Sequence, residues 1–302
     1  MSILFLNFGA YANTLLMDIL SIGVNTEGQL ARLGQLAQPV DTLFYAGNFL
    51  ELAARPCVAI VGSRKLTPYG RAVTTTLAGD LARAGVVIVS GLAIGIDSVA
   101  HQAALDAGGL TIAVLPTGLD HIYPAHHHRL ADRILHNGGA LVTEYAIGGG
   151  SPQKHQFIAR NRIIAALSQG VLITEAAAKS GSLHTANFAL EQGIEVFAVP
   201  GNVTSSTSSG TNELIKTGAT PVTAATDVLE TLGLVMEQRS LFTPQTKQEA
   251  VIYNLLSGRE LSIDEILTHV KIQPAELQAR LGMLEINGAV RQTSAGTWMR
   301  AS

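Results

Sequence analysis

Lys154, Arg160 and Arg162 fall within nine positions, with His155, Phe157 and Asn161 among them and no acid. Ammonium and guanidinium groups take phosphate oxygens, and an aromatic ring offers a planar group a stacking face. Such a set suits a local anion site. The stretch opens on Gly150-Ser151-Pro152, a loop, and runs into a helix that Ile163, Ile164 and Leu167 would anchor in a core. The same residues also fit a solvated surface helix with Phe157 as a hydrophobic staple.

Other reactive residue types are scattered more thinly. Asp97 and His101 lie four apart and would share a helix face, which suits an acid bonded to a structural histidine. His121, His126, His127 and His128 lack a carboxylate or thiolate at ligand spacing, so no metal site is expected. Ser182 and His184 have no placed acid to complete a triad. Glu175, at a strand end, is the one carboxylate positioned as a general acid or base. There is neither a Gly-x-Gly-x-x-Gly fingerprint nor a Walker loop, so no nucleotide cofactor is expected. No catalytic residue is assigned.

A frame must present these groups together. Apolar, β-branched runs occur at Cys57–Val61, Val86–Val89, Leu110–Leu115, Ala140–Thr143, Val171–Thr174 and Ile194–Val199. Helical patterns separate them at Tyr69–Ala84, Ile96–Ala107, His126–Asn137, Phe157–Ser168 and Ser182–Gln192. Gly85, Gly108, Gly138, Gly170 and Gly193 stand where helices should stop. Continuous apolar strands alternating with helices predict an α/β fold, a doubly wound and mostly parallel sheet. Ligands of such sheets bind outside the carboxyl ends of the strands. Gly62-Ser63-Arg64, Ser90-Gly91, Ser180-Gly181-Ser182 and Gly201 with Gly210 cluster there, so a rim of free amides and hydroxyls is expected, with Lys216 as a further cation.

Residues 1–55 read as a lead-in, 56–236 as the α/β core and 243–302 as a small module joined by 233–243. Three helical patterns and a terminal hairpin make that module a winged helix, and Ser262 with Glu265 forms a capping box. From Thr243 on it carries six basic and six acidic residues, too balanced for a helix that reads duplex DNA.

Composition narrows the classes. Charged residues make up 14% of the 302 and the net charge is −3, so contact with a polyanion must be local. The single cysteine, Cys57, excludes an internal disulfide and suits a reducing compartment. The apolar start has no basic n-region, and no apolar run approaches a membrane span. A cytoplasmic protein is expected.

The ordered motifs resemble the DprA/Smf family. They are Val58 to Arg64, Tyr69-Gly70, Ser90 to Asp97 with His101, Thr117 to Asp120 with Tyr123-Pro124, Arg160 to Ile164, Ser180 to Ser182 with Thr185-Ala186, Val199 to Gly201, Gly210 to Asn212 and Leu214 to Lys216. The resemblance covers about residues 40 to 302. It implies a Rossmann-like core that binds and protects single-stranded DNA, helps load RecA recombinase in natural transformation, works as a homodimer and is not an enzyme. It assigns strand contacts to Arg64, Lys154, Phe157, Arg160, Asn161 and Arg162, with Gly62, Ser63, Ser90, Gly91, Ser180, Gly181, Ser182 and Lys216 on the same surface. Phe157-Ile158-Ala159 departs from the family's Phe-Pro, and the family's N-terminal helical domain is expected to be reduced to a stub. A nucleotide-derivative-processing enzyme using Glu175 is the alternative on the same scaffold.

Overall fold

A run of residues that is apolar on both faces is satisfied only in the middle of a covered sheet, and five such runs form the centre of this protein. The computed structural model describes residues 18–24, 30–234, 244, 246–256, 259–270, 272–286, 289–293 and 296–300. The chain divides into two units, Met1–Val235 and Met236–Ser302. In the first, β1 (Leu20–Gly23), α1 (Ala31–Gly34), β2 (Thr42–Gly47) and α2 (Phe49–Ala53) precede the alternating series. That series is β3 (Cys57–Val61), α3 (Pro68–Arg83), β4 (Val87–Ser90), α4 (Ile96–Asp106), β5 (Thr111–Val114), α5 (His128–His136) and β6 (Ala140–Thr143). It continues with α6 (Lys154–Ala166), β7 (Gly170–Ile173), α7 (Ser182–Glu191), β8 (Glu195–Ala198), α8 (Ser209–Lys216), β9 (Thr220–Pro221) and α9 (Ala225–Thr231).

Every residue of β3 to β7 is buried. The sheet order is β1-β2-β6-β5-β4-β3-β7-β8-β9, with β3 to β9 parallel and β1 and β2 antiparallel. From β3 the chain winds outward through β4, β5 and β6, then α6 carries it back past β3 to β7 on the other side. The expected doubly wound α/β fold is present. Leu43-Phe44-Tyr45, read as lead-in, lies in β2 and pairs with β6, so part of that stretch belongs to the sheet.

Ile163 and Ile164 of α6 and Ala186 of α7 share one apolar cluster with the odd side chains of β3 and β4. Leu77 and Leu81 of α3 and Ala100 of α4 share another with Val58, Ile60 and Ile88. The sheet is thus covered on both faces. Gly85, Gly108, Gly138 and Gly193 have φ between 65° and 85°, the left-handed stop after α3, α4, α5 and α7. Gly170 does not play that part. It opens β7, and a Cβ there would lie 2.6 Å from the Phe197 ring, so it is glycine because of packing. Helix α6 starts a turn earlier than Phe157, because the Gln153 amide donates to Gln156 Oε1 (2.6 Å) and closes its first turn.

The second unit holds α10 (Lys247–Leu255), α11 (Ile263–His269), α12 (Pro274–Ile286) and the antiparallel pair β10 (Val290–Gln292) and β11 (Trp298–Arg300). Ile252, Ile266, Leu277, Leu281 and Trp298 form its own core. Ser262 and Glu265 cap α11 as expected, with Glu265 Oε2 accepting from the Ser262 amide (2.7 Å). This is a winged helix. Residues 1–17 of the lead-in and 235–243 of the joint lie outside the described residues. Among the described residues no helix is long and apolar enough to cross a membrane.

Phe197 is fully buried in β8 beside Leu172, Val199 and Val228. Phe197→Ala should therefore cost about 3–5 kcal/mol of unfolding free energy. Urea titration of both proteins checks this, and a loss under about 1 kcal/mol would show that the ring is not a core element.

Candidate nucleic-acid interface

The strand order reverses between β3 and β7, so the crevice of a doubly wound sheet should open at their carboxyl ends. Gly62-Ser63-Arg64 leaves β3 at that point. The Ser63 amide donates to Glu175 O (2.8 Å), and Ser63 O accepts from the Ile96 amide (3.1 Å). Ser63 Oγ accepts from the Lys65 amide (3.0 Å). A Cβ on Gly62 would lie 2.6 Å from the Ile96 side chain, and Gly95, at φ 90°, lets α4 pass against the Arg64 backbone. The main chain under Arg64 is pinned on two sides, whereas its side chain is exposed.

The Arg64 guanidinium lies over the Phe157 ring, 4.9 Å from its centroid. Phe157 in turn meets Tyr123 edge to face at 5.4 Å. Lys154, one turn before Phe157 on α6, is exposed. Arg64 has no carboxylate within 4 Å among the described residues. A cation, two rings and an ammonium group therefore face solvent together at the switch point. Tyr123, 41% exposed, was not among the expected contacts. The available signal was an aromatic residue before a proline in a glycine-bearing loop at a strand end.

The other two arginines of the cationic stretch are turned inward, which corrects their assignment as phosphate contacts. Arg160 is 3% exposed, and its guanidinium donates to the Gly91 and Val114 carbonyls at the ends of β4 and β5. Burial pulls its pKa down to about 10, with Asp97 pulling the other way and Arg64 adding to the fall. Arg162 is 6% exposed and makes a two-pronged ion pair with Glu144 (2.7 and 3.3 Å). Asn161 donates to the Gly181 carbonyl (3.4 Å) and so ties α6 to the Ser180–Ser182 turn.

Gly91 and Ser90 are likewise internal. A Cβ on Gly91 would collide with the Arg160 guanidinium, so this glycine makes room for a side chain of the protein itself. Ser90 is fully buried and donates to Ile60 O (2.6 Å). The rim of free amides is smaller than expected. Gly91 donates to Asp97 Oδ2 (3.2 Å), Gly201 to Asn212 Oδ1 (3.1 Å), Gly210 to Ala176 O (2.8 Å) and Ser180 to Ala177 O (2.9 Å). Ser180 and Ser182 bond each other through their hydroxyls (2.8 Å), and Gly181 between them is exposed. Lys216 ends α8, whose amino end is the one held at Ala176. It is exposed, and its ammonium group lies 3.8 Å from Glu213 of the same helix.

Asp97 and His101 sit behind Arg160 and do not bond each other. Burial raises the Asp97 pKa, against Arg160 and the backbone amides that favour its charged form. His101 Nε2 accepts from the Leu92 amide (3.3 Å). Thr111 Oγ1 donates its proton to Ile88 O, so at 2.7 Å from Nδ1 it must accept from the ring. The imidazole is neutral, and burial first, then His127 and Arg160, lowers its pKa to about 3. Glu175, 2% exposed, accepts from the Thr67 amide (2.9 Å) and hydroxyl (2.7 Å). Thr67 is the N-cap of α3, so this carboxylate holds a helix start. It lines an open cleft of about 560 Å³ with Tyr69 and Ser208, where no second acid stands beside it.

Comparison with known proteins agrees with this fold. The family model for DNA recombination-mediator protein A matches residues 27–233, and that for the DprA winged helix domain matches 238–296. Protein Smf of Escherichia coli K12 is 42% identical over 249 residues, 79% of this chain and 65% of that protein. A putative DNA processing protein DprA of Mycobacterium tuberculosis is 40% identical over 257 residues, 82% of this chain and 65% of its own length. The chain thus spans just under two thirds of these relatives. The crystal structure of DprA from Streptococcus pneumoniae superposes with a TM-score of 0.63 at 42% identity, covering 70% of this chain and 73% of that one. A Helicobacter pylori DNA processing protein A, described for its single-stranded DNA binding mode, superposes with a TM-score of 0.60 at 38% identity, covering 66% and 90%.

Two outcomes follow for the inward network. Arg160→Ala leaves two carbonyls and the Asp97 carboxyl without their cation and should cost about 3–5 kcal/mol, whereas Arg64→Ala should stay within about 0.5 kcal/mol. Urea midpoints that fall equally would contradict this division. For His101, the unfolded chain takes up a proton near pH 6.5 and the folded chain only near 3. Its stabilising contribution is complete above about pH 6.5 and is lost as pH falls toward 3, by about 1.4 kcal/mol per pH unit. Unfolding at pH 7 and pH 5 should show a shallower acid loss in His101→Gln than in the parent; equal slopes would refute a neutral, unprotonated His101.

Proposed function

Since the chain belongs to the DprA/Smf family of DNA recombination-mediator proteins, we propose that it binds and protects single-stranded DNA without sequence preference and hands it to RecA recombinase in recombination and natural transformation. Arg64 takes a phosphate while Phe157 and Tyr123 offer stacking faces to unpaired bases, and Lys154 follows the backbone. The observation that carries this reading is the exposed Arg64 guanidinium over Phe157, next to Tyr123, at the switch point. Stacking faces are available only to bases not paired in a duplex, which favours single strands.

The remaining groups serve this surface from behind. Arg160, Gly91 and Asp97 hold the loop and helix that present it, and Arg162 with Glu144 fixes α6 on its other side. The protein works as a homodimer, by the family resemblance. It is not an enzyme, since Glu175 is committed to Thr67. The winged helix contributes little phosphate attraction, for Arg280 of α12 is paired with Glu276 (2.8 Å).

A gel-shift comparison of single- and double-stranded oligonucleotides of one sequence tests the reading, with the single strand expected to bind more tightly. A charge-assisted contact is worth about 1.5–3 kcal/mol, so Arg64→Ala should weaken single-strand binding by roughly 10- to 150-fold. Arg64→Lys should also bind more weakly, because it keeps the charge but loses the planar fork and the flat stack on Phe157. Unchanged affinity in both folded variants would remove Arg64 from the interface.

A further inference from the structure

Between α3, α4 and α5 runs a second cleft, of about 450 Å³, whose walls carry Arg71, Arg129, Arg133, His126 and His127. Asp106 is its one acid, and it is neutralised by Arg133 (3.0 Å). Arg71 and Arg129 are exposed and make no ion pair among the described residues. In a chain of net charge −3, a cleft with two unopposed guanidiniums is a local concentration of positive charge.

This cleft adjoins the interface at two points. Arg71 lies in the first turn of α3, which starts four residues after Arg64. His126 follows three residues after Tyr123, the ring that meets Phe157. The far wall is anchored as well, since the His127 ring bonds Leu92 O (2.7 Å) in the loop that Arg160 holds. The cleft offers arginines and histidines but no Phe, Tyr or Trp ring, so it suits a phosphodiester backbone better than stacked bases.

We infer that this cleft is a second phosphate track, which takes the backbone of a single DNA strand where it leaves the Arg64–Phe157 site. The inference rests on the strand-binding reading above and adds a length dependence to it. A strand short enough to fill the first site gains nothing from Arg71 and Arg129. A longer one contacts both.

The test uses the full chain, with Arg71→Gln/Arg129→Gln beside Arg64→Ala, on oligothymidylates of about 6 and about 30 nucleotides, which bracket usual single-strand site sizes. Both arginines are exposed, so thermal unfolding of the double variant should match the parent. Its affinity for the short strand should be unchanged, while the long strand should bind about tenfold more weakly, with a salt slope reduced by about 1.4 for two lost contacts. Arg64→Ala should weaken both lengths. Equal loss at both lengths, or none at either, overturns the track; the latter result would leave the cleft to an acidic protein partner. If Arg64→Ala leaves binding intact while the double variant weakens the long strand, the track stands and the assignment of Arg64 fails. If the parent binds neither strand, both fail together.

Discussion

A guanidinium that is 3% exposed has lost nearly all its water, and it must find fixed acceptors or destabilise the fold. Arg160 finds them in the carbonyls of Gly91, just past β4, and Val114, the last residue of β5. The rest of the interface depends on that bond. Arg160 belongs to α6, as do Lys154 and Phe157, so anchoring it sets where the ammonium group and the ring emerge. The nearby Asp97 favours the charged form of this guanidinium, and its own carboxyl is held by the Gly91 amide. His101 then occupies the space behind as a neutral ring, which adds no further charge to a dry region. One buried cation thus ties β4, β5, α4 and α6 into a rigid base for groups that face water.

The parts of the molecule that could be read from its residues are those governed by period and by backbone geometry. Continuous apolar runs of four to six residues have no stable place except a doubly covered sheet, so the strands were visible. Glycines at helix ends were visible because only glycine enters the left-handed region without cost. What could not be read was the direction of a side chain. Arg64, Arg160 and Arg162 are one residue type, yet the first faces solvent and the others face carbonyls and a carboxylate. Arg64 leaves a strand end, whereas Arg160 and Arg162 stand about 200° apart around α6 and each meets an acceptor of the protein on its own side. Gly91 and Ser90 looked like a phosphate loop because an internal guanidinium and a ligand phosphate make the same demand for room.

The distribution of charge follows the same division. A chain with 20 basic and 23 acidic residues attracts a polyanion only where its cations are left without partners. Arg83, Arg133, Arg162 and Arg280 are each paired with an acid. Pairing one cation quiets its neighbourhood, so Arg64, Arg71, Arg129 and Lys154, exposed and without an ion pair among the described residues, are where a polyanion would feel most attraction on this side of the sheet.

The sheet ends, on the β9 side, in a strand of two residues, Thr220 and Pro221. Proline has no amide proton to offer, and two residues make no ladder. Another chain therefore finds no template on this border for lengthening the sheet. Self-association along this side has to be made by side chains that fit one another, and such contacts can be broken without unravelling any strand.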